Sequence, residues 1–161
     1  MYNDIPECMI KASFYDCIAG VHYKCFEAEF KDKKLSNGLI PDEIRNTDVY
    51  IILNSRMNTA IEISKQVNST ILKNHDKEVK AYRKKWRNKT MMQPLIKAKN
   101  SLTQDMFNHG LYEYDKFKSC FIESLKNEFY KQQDELKLNL SWWKKVKIFY
   151  EKDCIGSPFF V

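Results

Sequence analysis

Apolar side chains recur at three- and four-residue steps along most of this chain, which is the period of an amphipathic helix. Near the amino end, one such stripe runs through Ile10, Phe14, Cys17, Val21 and Cys25. The Asn37-Gly38 pair marks the end of this element, because glycine readily adopts the left-handed conformation that closes a helix. The pattern therefore predicts a first helix over residues 5–34.

The second segment begins at Pro41 and keeps the helical period, with no further proline before Pro94. Its apolar positions include Val49, Leu53, Met57, Ala60, Val67, Ile71, Leu72, His75, Val79, Tyr82 and Trp86. Two interpretations fit this pattern: one helix over residues 41–90, or two helices with a short break near Asn74. The lack of an internal proline favours the single helix, which would be the central element of the fold.

Three shorter helices complete the prediction. Pro94 and Gly110 bound one over residues 95–109, and phenylalanines at a four-residue step indicate another over residues 114–138. Ser141 is a suitable cap for the last, over residues 142–153, although the stretch KVKIFYEK also alternates as a strand would. With only four glycines and four prolines in 161 residues, the chain is predicted to be all-α. We expect a single-domain irregular helical bundle with one long central helix and about five helices.

Positive charge is concentrated in one part of the chain. The segment from Lys73 to Lys99 has ten basic and two acidic residues, a net charge of +8, whereas the whole chain carries +6. The candidate anion-binding side chains of this segment, here called the basic ridge, are Lys73, Lys77, Lys80, Arg83, Lys84 and Arg87. A helical face of this kind attracts acidic proteins, phosphate backbones or anionic lipid head groups.

The aromatic residues of the same segment are predicted to point elsewhere. On a helical wheel at about 100° per residue, Tyr82 and Trp86 fall on the side of Val79, away from the lysines. Proteins that bind single-stranded nucleic acid need rings and charge on one exposed surface. We therefore expect Tyr82 and Trp86 to be buried, whereas their exposure beside Lys80 would favour a polyanionic partner.

The cysteines and the hydropathy indicate where the protein works. The five cysteines include no Cys-x-x-Cys pair, and an odd number argues against a disulfide framework. Free thiols are typical of a reducing intracellular compartment, which could be the cytoplasm, the nucleus or an organelle matrix. The amino end does not have the pattern of a signal peptide, and no apolar run approaches the roughly 20 residues of a transmembrane segment.

Catalytic and metal-binding motifs are not recognisable in the sequence. His22, His75 and His109 are far apart, and no phosphate-binding loop or nucleophile elbow occurs. The sequence therefore predicts no catalytic residue, no metal site, no cofactor and no enzymatic activity. Folding could still bring a cysteine beside a histidine, because such pairs are spatial rather than sequential.

Two hypotheses about function follow. The first is a non-enzymatic helical protein–protein interaction module, an accessory subunit or adaptor of a larger assembly. Its candidate partner interface is the aromatic carboxyl end of the chain: Trp142, Trp143, Phe149, Tyr150, Phe159 and Phe160. The alternative is an anion-binding module that uses the basic ridge on RNA, DNA or acidic membrane lipids. Salt would separate them, because binding through lysine–phosphate contacts weakens steeply as salt rises. The sequence does not specify an oligomeric state.

Overall fold

The computed structural model describes residues 4–85 and 93–152, and of residues 136–152 it describes the backbone alone. Every regular element in these ranges is helical, which confirms the predicted all-α class. The described α-helices, numbered in chain order, are α1 Glu7–Phe30, α2 Asp42–Arg45, α3 Asp48–Asn74, α4 Asp76–Lys84, α5 Gln93–His109 and α6 Tyr114–Lys152. Within the described ranges, none of the helices combines the length and the apolar character needed to cross a bilayer.

Helix α1 is the central element of the bundle. It packs against α3, α5 and α6, and its predicted apolar stripe lies in the core. Ile10, Cys17 and Val21 are buried, and Phe14 and Cys25 pack against them while partly exposed. The prediction that the segment from Pro41 would be central is wrong, because α3 packs mainly against α1, whereas α1 packs against α3, α5 and α6.

The predicted single helix over residues 41–90 is three helices where the structure describes it. The first interruption is at Thr47, whose hydroxyl accepts a hydrogen bond from the Tyr50 amide at 3.4 Å and donates one to the Ile44 carbonyl at 2.6 Å. This side chain caps α3, so no proline is needed to separate it from α2. The second interruption is at His75, whose backbone angles of φ −128° and ψ 26° are not helical. The interpretation with a break near Asn74 is therefore the correct one.

The break at His75 also changes which side chains point inward. Val79 and Tyr82 are 1% and 3% exposed, as predicted, but Leu72 is 50% exposed and the His75 side chain is 49% exposed. A helical wheel assumes a constant turn per residue, and a non-helical residue resets that phase. The predicted stripe therefore holds for Ile71, Val79 and Tyr82 and fails at Leu72 and His75, next to the break. Trp86 lies outside the described residues.

Helices α5 and α6 form a hairpin joined by a short loop that begins at Gly110, a glycine with φ +101°. The predicted four-residue step is confirmed on α6, where Phe117, Phe121 and Leu125 are fully buried. The predicted boundary at Ser141 is wrong, because α6 continues as one helix of 39 residues to Lys152. Serine costs little inside a helix, so a residue suited to capping does not have to cap.

Asp16 connects α1 to two other helices through hydrogen bonds. Its carboxylate accepts from Ser64 Oγ at 2.5 Å and Asn68 Nδ2 at 3.0 Å, both on α3, and from Lys99 Nζ at 2.8 Å on α5. Burial alone would raise the pKa of Asp16, but the hydrogen bonds from Lys99 and Ser64 and the charge of Lys99 outweigh it. The pKa of Asp16 therefore lies below its usual value, which means that folding favours the ionised form.

Helix α5 crosses α1 closely at Gly20. A methyl group at position 20 would come within 2.9 Å of Thr103 Cγ2, which is closer than carbon atoms pack. Thr103 is not free to turn away, because its hydroxyl donates a hydrogen bond to the Lys99 carbonyl at 2.8 Å. Glycine at position 20 is thus required by the spacing of the two helices.

We predict that Gly20→Ala destabilises the protein through a clash with Thr103. Overpacking of this kind costs about 1–3 kcal/mol, which exceeds the roughly 1 kcal/mol that alanine gains over glycine in a helix. In a Thr103→Ser background, which lacks the clashing methyl group, the same substitution should stabilise the fold. Urea unfolding of the four proteins of this double-mutant cycle measures the coupling. If Gly20→Ala changed the free energy of unfolding equally in the two backgrounds, α1 and α5 would not be in tight contact at this position.

We predict that Asp16→Asn lowers the free energy of unfolding by about 1–3 kcal/mol near neutral pH, since hydrogen bonds to a charged acceptor are lost. Because the pKa of Asp16 is depressed in the folded state, its contribution is complete above the unfolded value of about 3.9 and is lost as the pH falls through the folded value. The difference in the free energy of unfolding between wild type and variant should therefore become smaller at acid pH. Urea unfolding at neutral and acid pH tests this, with exposed Asp134→Asn as the charge-matched control.

Candidate functional site

A surface groove with a volume of about 380 Å³ lies between α1 and α3. We call it the α1–α3 groove. Its walls are formed on one side by Tyr15, Ile18 and His22 of α1, and on the other by Ser55, Arg56, Thr59, Ala60 and Ile63 of α3. Steps of three and four residues place each set along one side of its helix, so the groove follows the helix axes.

Few side chains of α3 are buried, although α3 packs along α1. Within α3, a helix of 27 residues, the buried side chains are Ala60 and Ile71. Ala60 is buried on the floor of the groove, where its small side chain leaves space, and Ile63 stands beside it on the wall. The polar hydrogen bonds of Asp16 hold α3 in this position on the side away from the groove opening.

Apolar side chains extend the wall of the groove along α3. Val49, Ile52 and Ile63 are 52%, 48% and 41% exposed. On a wheel at about 100° per residue they lie within roughly 60° of one another, on the side that borders the groove. Single exposed apolar residues are ordinary, but a row of them on one face marks a surface that is suited to contact.

The electrostatics of the groove are set by one arginine. In the described part of the chain, Arg56 is exposed and makes no ion pair. Burial of His22, and to a smaller extent the charge of Arg56, lower the pKa of this histidine. Since the usual value is about 6.5, His22 is neutral at neutral pH and Arg56 supplies the positive charge of the groove.

The basic ridge is exposed but is not one continuous stripe. Lys77, Lys80, Arg83 and Lys84 lie on the exposed side of α4, whereas Lys73 lies on α3, before the break at His75. Lys80 pairs with Asp76 at 2.9 Å. Arg87 lies outside the described residues. The face of the basic ridge is therefore divided between two helices. The ring of Tyr82 is buried and does not lie on that face.

The aromatic carboxyl end remains a prediction. Trp142, Trp143, Phe149 and Tyr150 belong to α6 by their backbone, and their side chains lie outside what the structure describes. Phe159 and Phe160 lie beyond the described residues altogether. The structure neither brings these six residues together nor separates them.

Folding places three potential metal ligands together that are distant in the sequence. The Sγ of Cys8, a ring nitrogen of His75 and a carboxylate oxygen of Glu78 lie within 4.8 Å of one another. Burial, and to a smaller extent the charge of Glu78, raise the pKa of the Cys8 thiol. Sequence reasoning missed this cluster, although the three-residue step from His75 to Glu78 was a signal on the α4 side; the position of Cys8 depends on the packing of α1.

The side chains of the α1–α3 groove leave part of their apolar surface exposed and present one cation. Tyr15, Ile18 and Ile63 offer apolar contact, and Arg56 offers a planar group that pairs with carboxylates. In comparisons with known proteins, no family model, no curated protein and no solved structure matched this chain.

Proposed function

We propose that this chain is a non-enzymatic helical protein–protein interaction module, an accessory subunit or adaptor of a larger assembly, that holds an amphipathic helix of a partner protein in the α1–α3 groove. The observation that carries the proposal is the low burial of α3, where Val49, Ile52 and Ile63 form an exposed apolar row. A surface helix of a globular protein normally buries such a stripe. A partner helix would complete that burial.

The shape of the groove favours a helix over other ligands. Two adjacent helices leave between them a furrow into which a third helix lays its apolar face, with anchors at steps of three, four and seven residues. The walls of the α1–α3 groove repeat at the same steps, from Tyr15 through Ile18 to His22 and from Arg56 to Ile63.

Arg56 indicates the charge of the partner. The partner helix should carry an aspartate or glutamate next to its apolar stripe, in reach of the Arg56 guanidinium. An exposed pair of this kind contributes only about 0.2–1 kcal/mol. Its main effect is on orientation and on discrimination against basic helices, while the apolar anchors supply the affinity.

The burial of Tyr82 supports a protein partner over a polyanion. A single-strand binder would present this ring next to Lys80 and Arg83, but Tyr82 packs in the core with Val79. The exposed charges of α4 supply no stacking platform. The anion-binding function of the basic ridge remains the second candidate, supported by the exposure of Lys77, Arg83 and Lys84.

We predict that the occupant of the groove can be trapped from within it. A photo-crosslinking residue is placed at Thr59 in the groove and, as a control, at exposed Ser69 on another part of α3. The expected product is a crosslink from position 59 to an amphipathic helical segment of another protein, with an acidic residue beside its apolar stripe. A crosslink to residues 153–161 of the same chain, or to a second copy, contradicts a heterologous partner.

We predict that Ile63→Glu weakens binding of that helical segment at least about 30-fold, because an apolar anchor is replaced by a charge, a loss of roughly 2 kcal/mol or more. Leu72→Glu is the matched control, since Leu72 is a similarly exposed residue of α3 on another side of the helix. Fluorescence anisotropy with the crosslinked segment as a peptide gives the dissociation constants. If the two variants changed the dissociation constant equally, the partner would bind outside the α1–α3 groove.

We predict that combining Lys77→Glu, Lys80→Glu and Lys84→Glu preserves the fold and changes binding of the helical segment by no more than about twofold. All three side chains are exposed, and surface substitutions of this kind usually change stability by about 0.5 kcal/mol or less. Binding of the same protein to RNA and to anionic vesicles is measured at low and at physiological salt. If the triple variant abolishes the main association of the chain while Ile63→Glu does not, the anion-binding function replaces the proposed one.

A further inference from the structure

A cluster of three potential ligands lies at the amino end of α1, apart from the α1–α3 groove. Cys8 lies in the first turns of α1, His75 is the non-helical residue between α3 and α4, and Glu78 is in the first turn of α4. Their ligand atoms lie within 4.8 Å of one another, and His75 Nδ1 is 3.5 Å from Glu78 Oε2. We propose that these three side chains form a Zn²⁺ site that fastens α1 to the junction of α3 and α4.

The donor set is what selects zinc. A thiolate, an imidazole and a carboxylate are the three ligand types that zinc accepts in proteins, whereas Ca²⁺ and Mg²⁺ take oxygen ligands. With metal–ligand distances of about 2.0–2.3 Å in a tetrahedral arrangement, the ligand atoms would stand roughly 3.3–3.6 Å apart. His75 and Glu78 are exposed and can rotate by the small amount required to reach that spacing.

The backbone that carries the ligands is held by the core. Val79, the residue after Glu78, is 1% exposed, and it lies in the same apolar cluster as Cys8. His75 Nδ1 lies 3.5 Å from Glu78 Oε2, and both side chains bring a ligand atom within 4.8 Å of Cys8 Sγ on α1. The core therefore holds the backbone that carries the ligands, and only the exposed side chains of His75 and Glu78 have to move to bind the ion.

The outer side of the cluster opens into a surface depression of about 400 Å³, which leaves a fourth coordination position for water or for a partner's side chain. Lys73, Lys77 and Asp76 also line this depression, and Asp76 pairs with Lys80. The two lysine charges oppose a cation. We therefore expect micromolar affinity rather than the much tighter binding of a closed four-ligand site.

The test is a titration of the full chain with Zn²⁺ against a chromophoric chelator, and a parallel titration with Co²⁺. The expected result is one metal ion per chain, and a cobalt complex that shows a thiolate-to-metal charge-transfer band. Zinc should also raise the midpoint of thermal unfolding, because an ion that binds only the folded state stabilises it. No binding at about 100 μM zinc, or a cobalt spectrum without the thiolate band, overturns the site.

Single variants assign the ligands. Cys8→Ser, His75→Gln and Glu78→Gln should each reduce zinc affinity at least about tenfold. Their matched controls, Cys120→Ser, His109→Gln and Glu123→Gln, should leave it within about twofold. His75 and Glu78 are exposed, so their variants keep the fold even if Cys8→Ser does not. Stoichiometric binding that survives His75→Gln or Glu78→Gln places the metal elsewhere and overturns the proposal, whereas Ile63→Glu in the groove should leave zinc binding unchanged.

Discussion

The packing of every long helix around α1 is the constraint on which the rest of the structure depends. Asp16 receives hydrogen bonds from α3 and α5, and Gly20 lets α5 approach closely through Thr103. Helices α5 and α6 also pack against each other, whereas α3 packs mainly against α1. Helix α3 lies at the edge of this arrangement, and its apolar row therefore stays exposed. The groove is a direct consequence of having one shared central helix.

The break at His75 has two structural effects, one on the core and one on the proposed zinc site. It turns α4 so that Val79 and Tyr82 enter the core at the amino end of α1. It also leaves the His75 imidazole exposed beside Cys8 and Glu78, where it is a potential ligand. The same backbone feature thus positions part of the core and the proposed zinc ligands.

Charge and aromatic rings are segregated on α4 in the described residues, and this separation supports the proposed protein partner over a polyanion. Lysines lie outward and Tyr82 inward, so the electrostatic attraction of the basic ridge is not coupled to stacking. Electrostatic attraction alone is diffuse and sensitive to salt. The α1–α3 groove combines apolar surface with one arginine, so a partner would have to match it in both shape and charge. For this reason the geometry favours a folded or folding protein segment as the partner.

The amino-acid sequence by itself determined the helical class, the end of α5 before Gly110, and the buried stripes of α1 and α6, whereas α1 ends at Phe30, well before the predicted end at Gly38. These follow from residue spacing and backbone preferences within a few positions. Only the tertiary structure decided that α1 is central, that Thr47 and His75 interrupt the second segment, and that α6 continues through Ser141. It alone brought Cys8 to His75 and Ile18 to Ile63 across the groove. Local rules govern the period and the ends of a helix, whereas these outcomes depend on free energies of contact between residues that are distant along the chain.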